Sequence, residues 1–147
     1  MSHIKNAMET LTALSARSLQ YYIVARRWST ELEFSRVEKN FLEALINELL
    51  FEPGNSPNDL SLNLSISKLQ ALEADLVKAE TSVSEQLEKL ELIAENKFPE
   101  LKETLAAEQA CLEYKMLDLV HEFRNVKTEL FAEIRLKLKS HHQNIPS

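Results

Sequence analysis

The stretch that decides the fold is residues 99–141, PELKETLAAEQACLEYKMLDLVHEFRNVKTELFAEIRLKLKSH. Its only helix-breaking residue is Pro99, which stands at the start, where a first helical position tolerates proline. The apolar residues recur at about 100° per residue and fall in one stripe: Leu101, Leu105, Leu112, Met116, Leu119, Val120, Phe123, Val126, Leu130, Ile134 and Leu138. This pattern predicts one long helix over residues 99–141, about 60 Å in length.

A second helix is predicted over residues 65–95. A seven-residue repeat is carried by Leu62, Leu69, Leu76, Val83 and Leu90, and the intermediate positions hold Leu72, Ala79, Leu87 and Ile93. Such spacing is typical of a coiled-coil seam, here with one three-to-four slip near Gln86. Because residues 96–99 leave only a short connection, we expect the two helices to form an antiparallel hairpin.

A further helix is predicted over residues 28–51, with one apolar face formed by Phe34, Val37, Phe41, Leu42, Leu45 and Leu49. It is followed by a loop at residues 52–63, EPGNSPNDLSLN, which contains the single glycine, Gly54, and two of the four prolines. With so few turn-forming residues, a β-rich or α/β fold is disfavoured. The predicted class is all-α, an antiparallel up-down bundle of three to four long helices with a coiled-coil-like C-terminal hairpin.

The N-terminal segment, residues 1–27, leaves alternatives open. It carries its own apolar stripe, which runs from Ile4 through Trp28 to Leu32 and would lie roughly opposite the Phe34–Leu49 stripe on a continuous helix. Either the chain breaks near residues 27–30, where Thr30 and Glu33 have capping-box spacing, or the helix continues and this half meets something else. The segment could therefore be a fourth helix, a dimer arm or a partly disordered end.

The composition indicates one domain over residues 1–147. The chain holds 44% hydrophobic residues and a formal net charge of −6, so a nucleic-acid partner is disfavoured. No apolar stretch approaches the roughly 20 residues of a membrane span, and a membrane partner is not expected. The only cysteine, Cys111, permits no disulfide within the chain, which favours a cytoplasmic location.

The sequence predicts no catalytic, cofactor-binding or metal-binding residues. Asp118 and His121 have the spacing of half a di-iron motif, but they lie on the expected solvent side and lack a second pair. His141 and His142 are adjacent, and adjacent helical side chains diverge. Cys111 shows no positioned base or oxyanion site beside it.

The segment YYIVARRW, residues 21–28, is the candidate partner contact. Tyr21, Tyr22 and Trp28 stand beside Arg26 and Arg27, and aromatic residues with arginines are enriched in protein interfaces. The alternative is that these are core aromatics flanked by solvated arginines. Contact with a membrane surface is a lesser possibility, because no Lys/Arg cluster accompanies the segment.

Glu38 is an acidic residue within the predicted apolar stripe of residues 28–51. In a functional interpretation it binds a cation or the arginine of a partner. In a structural interpretation it snorkels at the edge of the stripe or pairs with a base such as Arg124. We favour the structural interpretation, since solitary buried acids are rare.

The pattern WSTELEF at residues 28–34, followed by Glu38, Phe41–Leu42 and Leu45–Ile46, resembles small bacterial helical-bundle proteins that carry no assigned activity. The stretch HEFRNVKTELF, residues 121–131, shows a similar likeness. The resemblance implies a helical bundle and implies nothing about function.

Surplus apolar surface without reaction machinery predicts a non-enzymatic interaction or scaffold protein. A homo-oligomer, or a complex with another protein, would use the N-terminal segment and the extended last helix. Two alternatives remain. One is a ligand- or metal-binding bundle, possibly an enzyme, centred on Glu38, and the other is a peripheral membrane coiled-coil protein.

Overall fold

The structure, a computed structural model, describes residues 13–50, 60–97 and 101–143. These residues form three long helices, which we name α1 (Ala16–Leu50), α2 (Leu60–Ala94) and α3 (Lys102–Gln143). No strand occurs within the described ranges. The predicted all-α class is confirmed, and the packing of the helices is consistent with a bundle.

Helix α1 begins well before the predicted boundary at residue 28. The Ser15 hydroxyl oxygen accepts a hydrogen bond from the Ser18 backbone N–H at 3.3 Å, which is the geometry of an N-terminal cap. The helix then continues without a break through residues 27–30. The Thr30 hydroxyl donates to the Arg26 carbonyl at 3.3 Å, so it is satisfied inside the helix and does not cap a new one.

Of the alternatives for residues 1–27, the break near residue 30 is therefore not what the structure shows. Residues 16–27 are the first turns of α1. A fourth helix would have to lie before Ala16, and residues 1–12 lie outside the described residues.

Helix α2 begins at Leu60 rather than at residue 65, so the last four residues of the predicted 52–63 loop are helical. The rest of that loop, and Pro99, lie outside the described residues. At its C-terminus α2 closes with Asn96 at φ 63°. The Asn96 N–H donates to the Ile93 carbonyl at 3.0 Å, and the Lys97 N–H donates to the Leu92 carbonyl at 2.9 Å. These two bonds form a Schellman motif that satisfies the last carbonyls of the helix.

The predicted core positions of α2 and α3 are largely confirmed. All five leucine and valine positions of the α2 heptad are buried. On α3 the stripe from Leu105 to Ile134 is buried except for Val120, and Leu138 is exposed near the C-terminus. The sequence located these cores because each of these helices carries one dominant apolar stripe.

The predicted apolar face of residues 28–51 is wrong in its first half. Phe34, Val37 and Phe41 are exposed by 70%, 67% and 62%. Leu42 and Leu49 of that face are buried as predicted, and they form one buried face with Ile46 and with Leu32 of the N-terminal stripe. The helix carries two apolar stripes on different sides, and periodicity alone does not tell which of them meets the core.

The described residues divide into two compact units. The first comprises residues 13–33, 77–97 and 101–117, and its core contains Tyr22, Leu90, Ile93 and Leu105. The second comprises residues 34–50, 60–76 and 118–143, and its most buried side chains are Leu42, Leu62, Leu69, Leu76 and Leu130. Each unit thus contains a part of all three helices.

Candidate functional site

The candidate contact segment, residues 21–28, is divided between core and surface. Tyr22 and Trp28 are only 3% and 8% exposed, and Tyr22 belongs to the core of the first unit. Tyr21 is half-buried, whereas Arg26 and Arg27 are exposed. Two of the three aromatic side chains of the segment therefore have a core role, which is the alternative that the sequence left open.

The buried position of Tyr22 changes the pKa of its hydroxyl. Burial raises the pKa of the Tyr22 hydroxyl, and the positive charge of Arg26 partly opposes this while Glu91 adds to it. A raised pKa keeps the phenol neutral at any physiological pH. Tyr22 is accordingly a neutral core residue of the first unit.

An open groove of about 390 Å³ follows the outer edge of the same segment. Its walls include Tyr21, Ile23 and Trp28 from α1, together with Gln109 and Glu113 from α3. Three of the five candidate contact residues, Tyr21, Arg27 and Trp28, line this groove. Of the five residues, Tyr21, Arg26 and Arg27 retain accessible surface that a partner could reach.

Glu38 forms an ion pair with Lys127 of α3, with 2.6 Å between Oε1 and Nζ. The side chains are 42% and 35% exposed, so the pair lies at the edge of the second unit. Lys127 also places its ammonium 5.9 Å from the ring centroid of Phe123, a cation–π distance. The base that neutralises Glu38 is thus Lys127 rather than the suggested Arg124.

The most exposed apolar surface on α1 is a row of residues that we name the outer face: Phe34, Val37, Phe41 and Ala44. The first three carry the exposures given above, and Ala44 is also exposed. Residues spaced by three, four and three positions lie on one side of a helix. The outer face is therefore a continuous apolar strip in contact with solvent.

A buried lysine on the opposite side of α1 was not predicted from the sequence. Lys39 is 4% exposed, and its ammonium lies 2.5 Å from Glu73 of α2 and 3.0 Å from Glu43. Arg36 donates to both carboxylate oxygens of Glu73 at 2.9 and 3.0 Å. Two cations and two carboxylates therefore form one neutral cluster in the second unit.

The cluster shifts the ionisation of its members in opposite directions. Burial alone would lower the pKa of Lys39, but hydrogen bonds to Glu73 and Glu43 outweigh it and raise that pKa. The hydrogen bonds from Lys39 and then Arg36 lower the pKa of Glu73. Lys39 and Glu73 therefore stay charged over a wide pH range. The sequence does contain a signal for the burial of Lys39: it stands seven positions from both Leu32 and Ile46, which are core residues.

A second buried polar group lies in the first unit. The Gln86 side-chain amide donates to the Gln109 side-chain oxygen at 3.0 Å and approaches the Leu105 carbonyl at 3.4 Å. The Gln109 amide in turn donates to the Tyr21 carbonyl at 3.3 Å. This chain of hydrogen bonds links all three helices. It falls where the sequence showed a slip in the heptad seam.

Carboxylates gather on the exposed side of α3. Burial is the largest cause that raises the pKa of Glu122, and the nearby carboxylate of Asp75 adds to it. Asp118 raises this pKa further, whereas His121 lowers it. Asp118 and His121 are both exposed, on the predicted solvent side. No group of three or more potential ligands suited to a metal ion occurs among the described residues.

The thiol of Cys111 is free and exposed. Every buried side-chain nitrogen and oxygen in the described part of the chain has a hydrogen-bond partner. Within residues 13–50, 60–97 and 101–143, no helix is both long and apolar enough to cross a bilayer.

Comparison with known proteins adds no family to this description. No protein family, no curated protein and no solved structure significantly matches the chain.

Proposed function

We propose that this protein is a non-enzymatic interaction or scaffold protein that self-associates or binds another protein through exposed apolar surface on its helices. The observation that carries the proposal is the outer face of α1. Two phenylalanines and a valine stand there in consecutive positions of one helix side, each more than three-fifths exposed.

The physical reason is the cost of keeping such a surface in water. Burial of apolar surface yields roughly 25 cal/mol per Å², and a contiguous apolar strip is a common mark of a binding surface. A single exposed apolar residue needs no such explanation. The regular spacing of three of them on one helix supports a helix or groove of a partner as the complementary surface.

The proposal includes an antiparallel up-down arrangement with a coiled-coil-like hairpin of α2 and α3. Contacts in the first unit support it. Gln86 of α2 bonds to Gln109 of α3, whereas Ile93, later in α2, clusters with Leu105, earlier in α3. Contact partners that run in opposite order along two helices are expected for antiparallel packing.

We also propose a cytoplasmic location and a role without catalysis. The free and exposed thiol of Cys111 is compatible with a reducing compartment. For the ligand-binding alternative, Glu38 would first have to leave Lys127, which holds it at 2.6 Å. A non-enzymatic role therefore requires the fewest changes to the observed contacts.

A photo-crosslinking experiment tests the proposal. Benzoylphenylalanine at position 34 places a reactive aromatic group on the outer face, and the same residue at position 114 is the matched control, because Tyr114 is equally exposed at 72%. We expect irradiation of the cells that naturally contain the protein to give discrete adducts from position 34 in excess of position 114. Equal or absent adducts at the two positions would contradict the proposal.

A further inference from the structure

The outer face has the spacing of a coiled-coil seam that is separate from the seam used inside the molecule. Phe34, Val37, Phe41 and Ala44 alternate by three, four and three residues. The core contacts of the same helix are made by Leu42, on another side. One helix therefore carries an occupied seam and a solvent-exposed one.

We infer that the outer face binds the outer face of a second copy of this chain, antiparallel, about a two-fold axis near residue 39. The inference rests on the proposed function and names the partner of that surface. A two-fold interface uses the same patch on both subunits, so the patch must be complementary to itself in size and in charge.

The outer face meets the size requirement in the antiparallel direction. With the axis near residue 39, Phe34 lies opposite Ala44 of the second copy, and Val37 lies opposite Phe41 of the second copy. The two-fold axis generates each of these two pairs a second time. The ring of Phe34 therefore faces alanine and the ring of Phe41 faces valine, a smaller side chain in both cases. In a parallel pair Phe34 would meet its own copy and Ala44 its own copy. Phe41 would likewise meet Phe41 of the second copy. That arrangement gives two overfilled layers and one void, and both kinds of layer are unfavourable.

Charge at the border of the seam is only partly neutralised. The chain as a whole carries −6, which opposes self-association. The Glu38–Lys127 pair at one edge is neutral in sum, and the exposed Asn40 at the other edge is uncharged. Two-fold symmetry about this axis brings Glu38 near Glu38 of the second copy, and the Lys127 paired with each carboxylate offsets part of the repulsion between them. The exposed Glu33 and Glu48 lie on the same side of α1, so the charge near the seam opposes the pairing and the apolar contacts must outweigh it.

The area sets the strength of this contact. A fully buried phenylalanine contributes roughly 150–250 Å², so the outer face can bury on the order of 400 Å² on each copy. The two copies together bury roughly 800 Å², which is below the total of about 1,200–2,000 Å² in stable specific interfaces and in the range of weak, transient ones. We expect a reversible dimer with a dissociation constant of about 1–100 µM, monomeric in dilute solution.

Sedimentation equilibrium of the full chain, from about 1 to 500 µM, tests the inference. The wild type is expected to pass from monomer to dimer. Phe41→Glu should raise the dissociation constant at least tenfold, because it places a carboxylate opposite Val37 of the second copy. Tyr114→Glu is the matched control and should leave the constant within twofold. Circular dichroism checks that both variants keep their helix content, which is expected since both positions are exposed.

Disulfide trapping tests the direction of the pairing, in a Cys111→Ser background. Val37→Cys and Phe41→Cys proteins should form a mixed disulfide rapidly when combined and should couple slowly with themselves. Only the combination brings two α-carbons of the antiparallel seam within the roughly 7 Å that a disulfide spans. Fast self-coupling of Val37→Cys would show a parallel pair and overturn the inferred geometry.

The outcomes separate this inference from the proposed function. A wild type that stays monomeric at 500 µM, or a dimer that Phe41→Glu leaves unchanged, overturns the self-pairing. If position 34 still gives adducts with another protein in cells, the proposed function survives that result. If those adducts are also missing, both fail.

Discussion

At the scale of single residues, Lys39 shows how a charged side chain can occupy a core position. It lies in the heptad row of Leu32 and Ile46 and is buried to the same degree as they are. An isolated ammonium in that place would be expelled or deprotonated. Glu73 and Glu43 prevent this by direct hydrogen bonds. The burial of Lys39 therefore depends on residues outside its own heptad row.

Glu73→Gln is expected to lower the free energy of unfolding by about 1–2 kcal/mol at neutral pH. The variant removes the charge that faces Lys39 and Arg36, although Glu43 still pairs with Lys39. The Glu73 carboxylate is more than one-third exposed, which keeps the expected loss well below that of a fully buried pair. Urea unfolding followed by circular dichroism measures the difference.

The pH dependence of that difference follows from the sign of the shift. Because the folded pKa of Glu73 lies below its ordinary value of 4.5, its contribution is complete above that value and is lost as the pH falls through the folded pKa. Wild type and variant should therefore converge in acid. The pKa of Lys39 is raised, so its own contribution is complete below 10.5 and is lost only as the pH rises through the folded pKa.

Glu129→Gln is the matched control for this prediction. It removes the partner of Lys68 from a pair in which both side chains are more than two-fifths exposed. Exposed ion pairs contribute little, and the expected change is within about 0.5 kcal/mol. A loss at Glu73 no larger than the loss at Glu129 would contradict the structural role assigned to the Lys39 cluster.

At the scale of elements, the hydrogen-bonded pair of Gln86 and Gln109 connects α2 with α3. Gln109→Leu should lower the free energy of unfolding by about 1–3 kcal/mol, because the buried amide of Gln86 loses its best acceptor. The double variant Gln86→Leu/Gln109→Leu should recover most of this loss, since no buried side-chain amide is then left without a partner. Thermal unfolding of the two singles and the double completes the cycle.

An additive cycle for the two glutamines would show that the pair is not coupled. A buried polar position in a coiled-coil seam can also fix its register at a cost in stability. We expect the double variant, although stable, to show a broader unfolding transition than the wild type.

The end of α2 gives a prediction about the backbone. Asn96 adopts a left-handed conformation, which asparagine tolerates and glycine adopts without strain. Asn96→Ala should lower the free energy of unfolding by about 1 kcal/mol, and Asn96→Gly should leave it unchanged or raise it slightly. Chemical denaturation of the two variants measures this. Equal stability of alanine and glycine at this position would contradict the left-handed cap.

At the scale of the whole molecule, dimerisation through the outer face should make thermal stability depend on concentration. Ligand at ten times its dissociation constant stabilises a protein by about 1.4 kcal/mol, which corresponds to roughly 3–6 °C in Tm for a chain of this size. Differential scanning calorimetry at low and high protein concentration should show this rise. It should vanish in Phe41→Glu and persist in Tyr114→Glu, and a Tm that is independent of concentration in the wild type would contradict it.

Most of the helical structure could be predicted from the sequence. Helices α2 and α3 follow from a single apolar stripe on each and from the scarcity of glycine and proline. The start of α1 at Ala16 was missed because Ser15, which caps it, stands among several serines and threonines of similar capping potential. The sequence could not decide whether Tyr22 and Trp28 are core residues or partner contacts, because an aromatic stripe is compatible with either role.

The sequence by itself determined the class of fold, the cores of α2 and α3, and the place where the heptad seam slips. All three features depend on the spacing of apolar residues within a single helix, and that spacing can be read from the local sequence. Only the tertiary structure decided which of two apolar stripes on α1 is buried, and that Lys39 is core while Phe34 and Phe41 are exposed. The physical reason is that a side chain on one helix becomes buried only where another helix packs against it. The ion pairs that make Lys39 tolerable include Glu73, a residue 34 positions along the chain on another helix.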